Sequence, residues 1–106
     1  LLPIMTTSPV TVVVHIHAKD GQQALVRSEL EKLIPITLAE AGCLGYDLHV
    51  DNADDKHFVF YETWESEELL EAHSKAPHLA AFGAATKDAV ERFSLDKMTR
   101  IAPATE

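Results

Sequence analysis

The order in which the spacing of apolar residues changes along the chain is the feature that most constrains its fold. Short segments with β-branched or alternating apolar residues predict strands, whereas recurrence every three or four residues predicts a helix. Residues 22–41 have helical spacing and lie between the first two predicted strands. A second helical region begins at Ser66, because serine is a favoured residue at helix N-caps. The predicted strands are 10–18, 43–50, 57–64 and 94–102.

This order, β-α-β-β-α-β, predicts a ferredoxin-like α+β fold, in which a four-stranded antiparallel sheet has its helices on one face. Alternation along the third strand assigns four residues to the face beneath the helices: Phe58, Phe60, Glu62 and Trp64. The other face would expose apolar residues to water, among them Val13, Val59 and Tyr61. We therefore expect a second copy of the chain to cover that face, which gives a homodimer of the dimeric α+β barrel type.

Several finer features follow from the same spacing. Pro35 should bend the first helix near its last turns, Gly42 should end it, and Pro77 should start a new helical segment. The apolar stripe predicted for the first helix is Val26, Leu30, Leu33, Ile34, Leu38 and Ala41. The stripe predicted for the second helical region is Leu79, Phe82, Gly83, Thr86, Val90 and Phe93. The inward face predicted for the second strand is Leu44, Tyr46, Leu48 and Val50.

The composition argues against several classes of protein. The chain has 106 residues with a net charge of −8 and no cluster of Lys and Arg, so nucleic acid is not an expected partner. It contains no run of 18 apolar residues that would predict a membrane span and no convincing signal peptide, and we expect a cytoplasmic protein. The single cysteine, Cys43, excludes an intrachain disulfide and a cysteine-based zinc site, and we interpret it as a small buried residue.

We expect one folded domain over residues 10–103, preceded by a flexible segment, 1–9, and followed by a short tail, 104–106. Met5 resembles a natural start residue, so we expect Leu1–Ile4 not to belong, at least in part, to the natural protein.

Two residues that should face inward could transfer protons. His73 follows Leu69 and Leu70 by one turn, so it is either a structural histidine or a general base. The ordinary pKa of a histidine side chain, about 6.5, suits proton transfer near neutral pH. Glu62 lies on the buried face of its strand, where a carboxylate must be paired, hydrogen-bonded or shifted in pKa. It could accept hydrogen bonds from the backbone or from a neighbour such as His73, or it could act in proton transfer. Trp64 could cap the core or form a flat wall for a planar ligand.

The other histidines predict no specific metal site. His73 and His78 are five residues apart, which would turn their side chains roughly 140° apart on one helix, so we expect them not to hold a metal together. His15 and His17 share one strand face, but no carboxylate follows them at a fixed spacing. That face is also the one expected to be turned towards the second copy of the chain.

Segment 40–82 contains three motifs: E-x-G-C-L-x-Y from Glu40 to Tyr46, Y-E-x-W ending at Trp64, and H-x-x-x-P-H from His73 to His78. Together they resemble the central signature of the antibiotic biosynthesis monooxygenase family, which includes the quinol monooxygenases. The resemblance extends over residues 10–102.

The resemblance implies a dimer with a pocket between sheet and helices in each subunit. It also implies oxidation of a quinol-like or other electron-rich aromatic by O₂, without flavin, haem or metal, and therefore without a cofactor. On this basis the candidate catalytic residues are His73 and Glu62. The candidate substrate-binding residues are Trp64, Tyr46, Phe60 and Phe82.

Two other functions stay open. An isomerase of a small carbonyl or sugar-derived compound could use His73 and Glu62 to move protons, and a non-catalytic dimer could bind a small ligand in the same pocket. Oxygen consumption would separate the monooxygenase from the isomerase, whereas tight binding without turnover would favour the binding protein.

Overall fold

The computed structural model describes residues 8–103. They form four strands and three helices in this order: β1 (Val10–Ala18), α1 (Gln23–Leu38), β2 (Cys43–Asp51), β3 (Asp54–Trp64), α2 (Glu67–Ser74), α3 (Pro77–Thr86) and β4 (Val90–Met98). Within these residues no helix is long and apolar enough to cross a membrane. The predictions made for residues 1–7 and 104–106 lie outside the part of the chain that the structure describes.

The sheet confirms the predicted ferredoxin-like topology. Its strand order is β2-β3-β1-β4, and every neighbouring pair is antiparallel. The first and third strands therefore occupy the centre, where Val14 pairs with Phe60 and His17 pairs with His57. The helices cover one face of this sheet, and the core lies between the two layers.

The inward face of the two central strands forms most of the core. In β1 three alternate residues are at most 6% exposed: Val12, Val14 and Ile16. In β3 three residues on the same face are at most 2% exposed: Phe58, Phe60 and Trp64. Burying each such side chain contributes about 1.5–3 kcal/mol. A shift of one residue in the pairing would turn the whole row outward, so burial specifies the register.

For several residues the predicted burial on the inward faces of α1 and β2 is wrong. Leu44 is 59% exposed, because the pairing of β2 with β3 shifts between Cys43 and Gly45 and turns the intervening residue outward. Leu38, the last residue of α1, is 53% exposed, and its neighbour Thr37 is fully buried instead. Three residues of the α1 stripe are confirmed as buried: Val26, Leu30 and Leu33. Ile34 is partly buried, and Ala41 is exposed because it lies beyond the end of the helix.

The last strand begins earlier than predicted. It spans Val90–Met98 and not 94–102, so Val90 and Phe93 belong to the sheet and not to a helical stripe. The preceding helix ends at Thr86, whose carbonyl accepts a hydrogen bond from the Ala89 N–H in the turn into the strand. Pairing with β1 satisfies the backbone groups of this segment, and this outweighs its helical spacing.

The helix junctions confirm the predicted cap and break. Ser66 Oγ accepts a hydrogen bond from the Leu69 N–H at 3.2 Å, which caps α2, and Pro77 is the first residue of α3. Gly42 does not end α1 as predicted, because the helix already ends at Leu38. Gly42 has a φ of +83°, and a Cβ atom there would lie only 2.8 Å from Cβ of Leu69. The glycine therefore allows α2 to pack closely against the loop between α1 and β2, which contains Glu40.

Candidate active site

His73 is the central residue of the candidate site. It lies near the end of α2 with its side chain inward, as predicted, and the residue is 6% exposed. The indole of Trp64 lies beside its ring with the centroids 4.5 Å apart, and Tyr46 meets the ring edge-on at 5.7 Å. Two aromatic side chains therefore restrict the orientation of the imidazole.

Glu40 is the hydrogen-bond partner of His73. The Nδ1 atom of His73 lies 2.6 Å from Oε2 of Glu40, whose side chain is 23% exposed. When the imidazole is neutral, Nδ1 donates its proton to the carboxylate, and the lone pair is on Nε2. A carboxylate that orients a histidine in this way prepares it to act as a base. The sequence indicated no role for Glu40, although this residue opens the E-x-G-C-L-x-Y segment.

His78 joins the same network, which contradicts the prediction that its side chain diverges from that of His73. The two rings have centroids 5.9 Å apart, and Nε2 of His78 lies 3.6 Å from the same Glu40 oxygen. It also lies 2.9 Å from Oγ1 of the buried Thr37. The predicted angle was that of one continuous helix, although a break at Pro77 was itself predicted. This break between α2 and α3 redirects the chain and brings the second imidazole back towards the first.

Glu62 is a buried carboxyl group whose partner is Trp64. The residue is 4% exposed, and its Oε1 atom accepts a hydrogen bond from Nε1–H of Trp64 at 2.8 Å. Burial raises the pKa of Glu62 to about 7 and the charge of Glu40 adds to this effect, whereas the bond from Trp64 opposes it. The suggested partner, His73, is not the one observed. A carboxyl group with this pKa can release or accept a proton near neutral pH.

His73 and Glu62 line the same apolar cavity between the sheet and the helices, which has a volume of about 100 Å³. Of the predicted substrate-binding residues, three also line it: Tyr46, Phe60 and Phe82. Trp64 does not, because it is fully buried beside His73 and contacts the site through its bond to Glu62. The remaining wall is almost entirely aliphatic or aromatic.

The cavity reaches the inward face of β4, which is poorly covered. Phe93 and Leu95 line the cavity, yet they are 58% and 43% exposed. An apolar ring could therefore enter from this side. Inside, burial raises the pKa of the Tyr46 hydroxyl well above its ordinary value, with a smaller contribution from the charge of Glu62. This hydroxyl therefore stays protonated and can donate a hydrogen bond.

A larger groove, about 540 Å³ in volume, lies between α1 and β2. Its charged residues include Arg27 and Glu31, which are exposed and form an ion pair with each other at 3.3 Å. Such an exposed ion pair contributes little to stability, and neither residue is activated for proton transfer. We therefore assign the candidate site to the cavity beside His73.

Two clusters in residues 8–103 bring three possible metal-binding side chains within 4.8 Å of one another. The first, beside the cavity, is Glu40, His73 and His78. Two imidazoles and one carboxylate are the ligand set of many non-haem iron oxygenases. The second, on the other face of the sheet, is His15, His17 and His57. Residue spacing predicted no third ligand for His15 and His17, but His57 on the neighbouring strand β3 lies close enough to be one.

The family model described as "Antibiotic biosynthesis monooxygenase" matches residues 9–85, which include Glu40, Glu62 and His73. This chain belongs to the antibiotic biosynthesis monooxygenase family. The family resemblance predicted from segment 40–82 is therefore confirmed.

Similar proteins include other bacterial chains of comparable size. The Escherichia coli K12 protein named "Probable quinol monooxygenase YgiN" is 37% identical over 87 residues, which cover 73% of this chain and 84% of that protein. The crystal structure of PA3566 from Pseudomonas aeruginosa has a TM-score of 0.88 at 31% identity, covering 93% of this chain and 100% of that chain. The structure of Rv0793 from Mycobacterium tuberculosis has a TM-score of 0.84 at 25% identity, covering 92% and 100%. These likenesses support the ferredoxin-like fold of this member of the antibiotic biosynthesis monooxygenase family.

We predict that Glu62→Gln stabilises the protein above neutral pH but not near pH 5. The pKa of Glu62 is raised from 4.5 to about 7, so the folded protein binds a proton that the unfolded chain has released. Stability is therefore lost as the pH rises from 4.5 through about 7. At ~1.4 kcal/mol for each tenfold change in proton affinity, the full loss is about 3 kcal/mol. Glutamine removes this cost of burying a charge and keeps a side-chain oxygen that accepts the hydrogen bond from Nε1–H of Trp64.

Urea unfolding at pH 5 and at pH 8 measures this difference in the free energy of unfolding. Glu65→Gln, a change at an exposed residue of the same segment, is the matched control and should have little effect at either pH. A Glu62→Gln effect of the same size at both pH values would contradict the predicted ionisation.

Proposed function

We propose that this protein oxidises a quinol-like aromatic with O₂ and needs no cofactor. The proposal is supported most directly by one observation, the 2.6 Å contact between Glu40 and His73 at the wall of an apolar cavity. A quinol is already electron-rich, so the protein has to supply only a base, hydrogen-bond donors and a dry site.

The first step is removal of a phenolic proton by Nε2 of His73, while Nδ1–H remains bonded to Glu40. The resulting phenolate gives one electron to O₂, and recombination of the two radicals forms a carbon–oxygen bond. Loss of water then yields a hydroxyquinone. One oxygen atom of O₂ enters the ring, the other leaves as water, and the quinol supplies all four electrons.

Glu62 and Tyr46 have supporting roles in this mechanism. With a pKa of about 7, Glu62 can donate a proton to the departing peroxide oxygen and recover it later. The protonated Tyr46 hydroxyl can donate a hydrogen bond to an anionic substrate oxygen. Phe60 and Phe82 offer aromatic surfaces to a planar ring.

A second candidate is an isomerase of a small carbonyl compound. It is favoured by the presence of two proton-transfer groups, His73 and Glu62, on one cavity wall. Such a reaction moves a proton from one carbon to another and consumes no O₂. A protein that only binds a small ligand would show neither reaction.

We predict that metal-stripped protein accelerates O₂ uptake with hydroquinones above the rate of autoxidation. His73→Ala should lower the rate by about 10²–10⁴-fold, because it removes the general base. Glu40→Gln should lower it by a smaller factor, since the base remains but its orientation and charge balance change. An oxygen electrode measures the rates, and boiled protein controls for trace metal.

Two outcomes would contradict this mechanism. Absence of O₂ uptake across a panel of hydroquinones and anthrones would exclude oxidation of these substrates and favour the isomerase or the binding protein. Uptake that requires added Fe²⁺ and is abolished by His78→Gln would instead assign the oxygenase reaction to a metal held by Glu40, His73 and His78.

We also propose that the protein forms a homodimer through the outer face of its sheet. Tyr61 is 48% exposed near the centre of this face, beside its pairing partner Val13. Tyr61→Asp should produce a monomer, because the dimer would bury an unpaired charge. Gel filtration measures this, with Tyr61→Phe as the control that should keep the dimer. An unchanged elution volume for Tyr61→Asp would contradict the assigned interface.

A further inference from the structure

Three histidines meet on the outer face of the sheet, opposite the cavity. His15 and His17 alternate along β1, and His57 on β3 is the pairing partner of His17. The His17 and His57 rings are stacked, with centroids 4.3 Å apart and an angle of 4° between their planes. The Nδ1 atom of His15 lies 2.8 Å from Nε2 of His57. All three side chains are partly buried.

Neighbouring groups determine which ring nitrogens are free to bind a cation. Oδ2 of Asp51 lies 2.9 Å from Nδ1 of His57, so that nitrogen donates its proton and Nε2 has the lone pair. This lone pair accepts the Nδ1–H of His15, a proton that a bound cation would replace. Arg92 can only donate, and its Nη2 atom lies 3.3 Å from Nε2 of His17, which must therefore be unprotonated. A neutral imidazole with a lone pair available is the form that binds metals.

We propose that His15, His17 and His57 form a binding site for a divalent transition-metal ion of the zinc type. A tetrahedral Zn²⁺ ion with Zn–N distances of about 2.0–2.1 Å holds its ligand nitrogens about 3.3 Å apart. The closest pair of donor atoms here is 2.8 Å apart and all three lie within 4.8 Å, so small side-chain rotations reach that geometry. Imidazole ligands suit Zn²⁺ or Cu²⁺ and not Mg²⁺ or Ca²⁺.

One charged group in contact with the cluster favours a cation and one opposes it. The carboxylate of Asp51 is bonded to His57 and attracts positive charge to the cluster. Arg92 opposes binding, but it is exposed on the edge strand β4, so its side chain can rotate away. A bound ion would connect the two central strands on the face away from the candidate active site. Because the proposed homodimer uses the same outer face, the ion would act on the stability of the sheet and of that dimer, and not on the oxidation reaction.

Zinc binding to untagged, metal-stripped protein tests the proposal. Calorimetric titration with Zn²⁺ near pH 7.5 should detect binding at this cluster, and bound Zn²⁺ should raise Tm. His15→Gln and His57→Gln should each weaken this binding at least tenfold. His49→Gln is the matched control, because His49 is an exposed histidine on the same face of the sheet but outside the cluster, and it should bind as the wild type does.

Two changes that leave every histidine in place should act in opposite directions. Asp51→Asn should weaken Zn²⁺ binding about 10–100-fold, because it removes the carboxylate that orients His57. Arg92→Gln should strengthen binding, because it removes a positive charge beside His17. A purely structural role for these side chains would not produce this opposite pair of effects on affinity.

His78→Gln separates this cluster from the one beside the cavity. Binding that survives in His78→Gln and is lost in His57→Gln supports the proposal. Binding that is lost only in His78→Gln, affinities unchanged in both His15→Gln and His57→Gln, or no binding at millimolar Zn²⁺ would each overturn it.

Discussion

The pairing of β1 with β3 is the constraint on which the rest of the structure depends. Because Val14 lies opposite Phe60, the alternate side chains of both central strands are divided between a buried face and an outer face. The buried row stabilises the fold by several kcal/mol, and a slip of one residue would expose all of it. The same register directs Glu62 into the cavity wall and brings His57 beside His17. Both candidate sites are therefore consequences of one strand pairing.

The proton-transfer groups are held by contacts between elements that are distant in the sequence. Glu40 lies in the loop after α1 and His73 lies in α2, and the close approach of Leu69 to Gly42 brings these two elements together. The apolar surroundings make ionisation of Glu62 costly, which is why its pKa rises to about 7. Packing that stabilises the fold thus also adjusts the chemistry of the groups it encloses.

Residue spacing was sufficient to predict the topology, the buried face of β3 and the inward side of His73, because each depends on local periodicity and burial. It failed where pairing or chain direction decides the outcome. The register shift at Cys43 exposes Leu44, and pairing with β1 makes a strand of Val90–Met98. The cluster of Glu40, His73 and His78 depends on the turn between α2 and α3, and His57 joins the other histidines only through the strand register. These contacts are long-range, so spacing along the chain contains little information about them.

The proposed chemistry depends most on the tautomer of His73, in which Nδ1–H donates to Glu40 and Nε2 is left as the base. The ¹⁵N NMR shifts of the histidine ring distinguish the two neutral tautomers directly. At pH 8 we expect His73 to carry its proton on Nδ1 and to lose this preference in Glu40→Gln. A proton on Nε2 in the wild-type protein would contradict the account, because the nitrogen assigned as the base would then have no lone pair to accept the substrate proton.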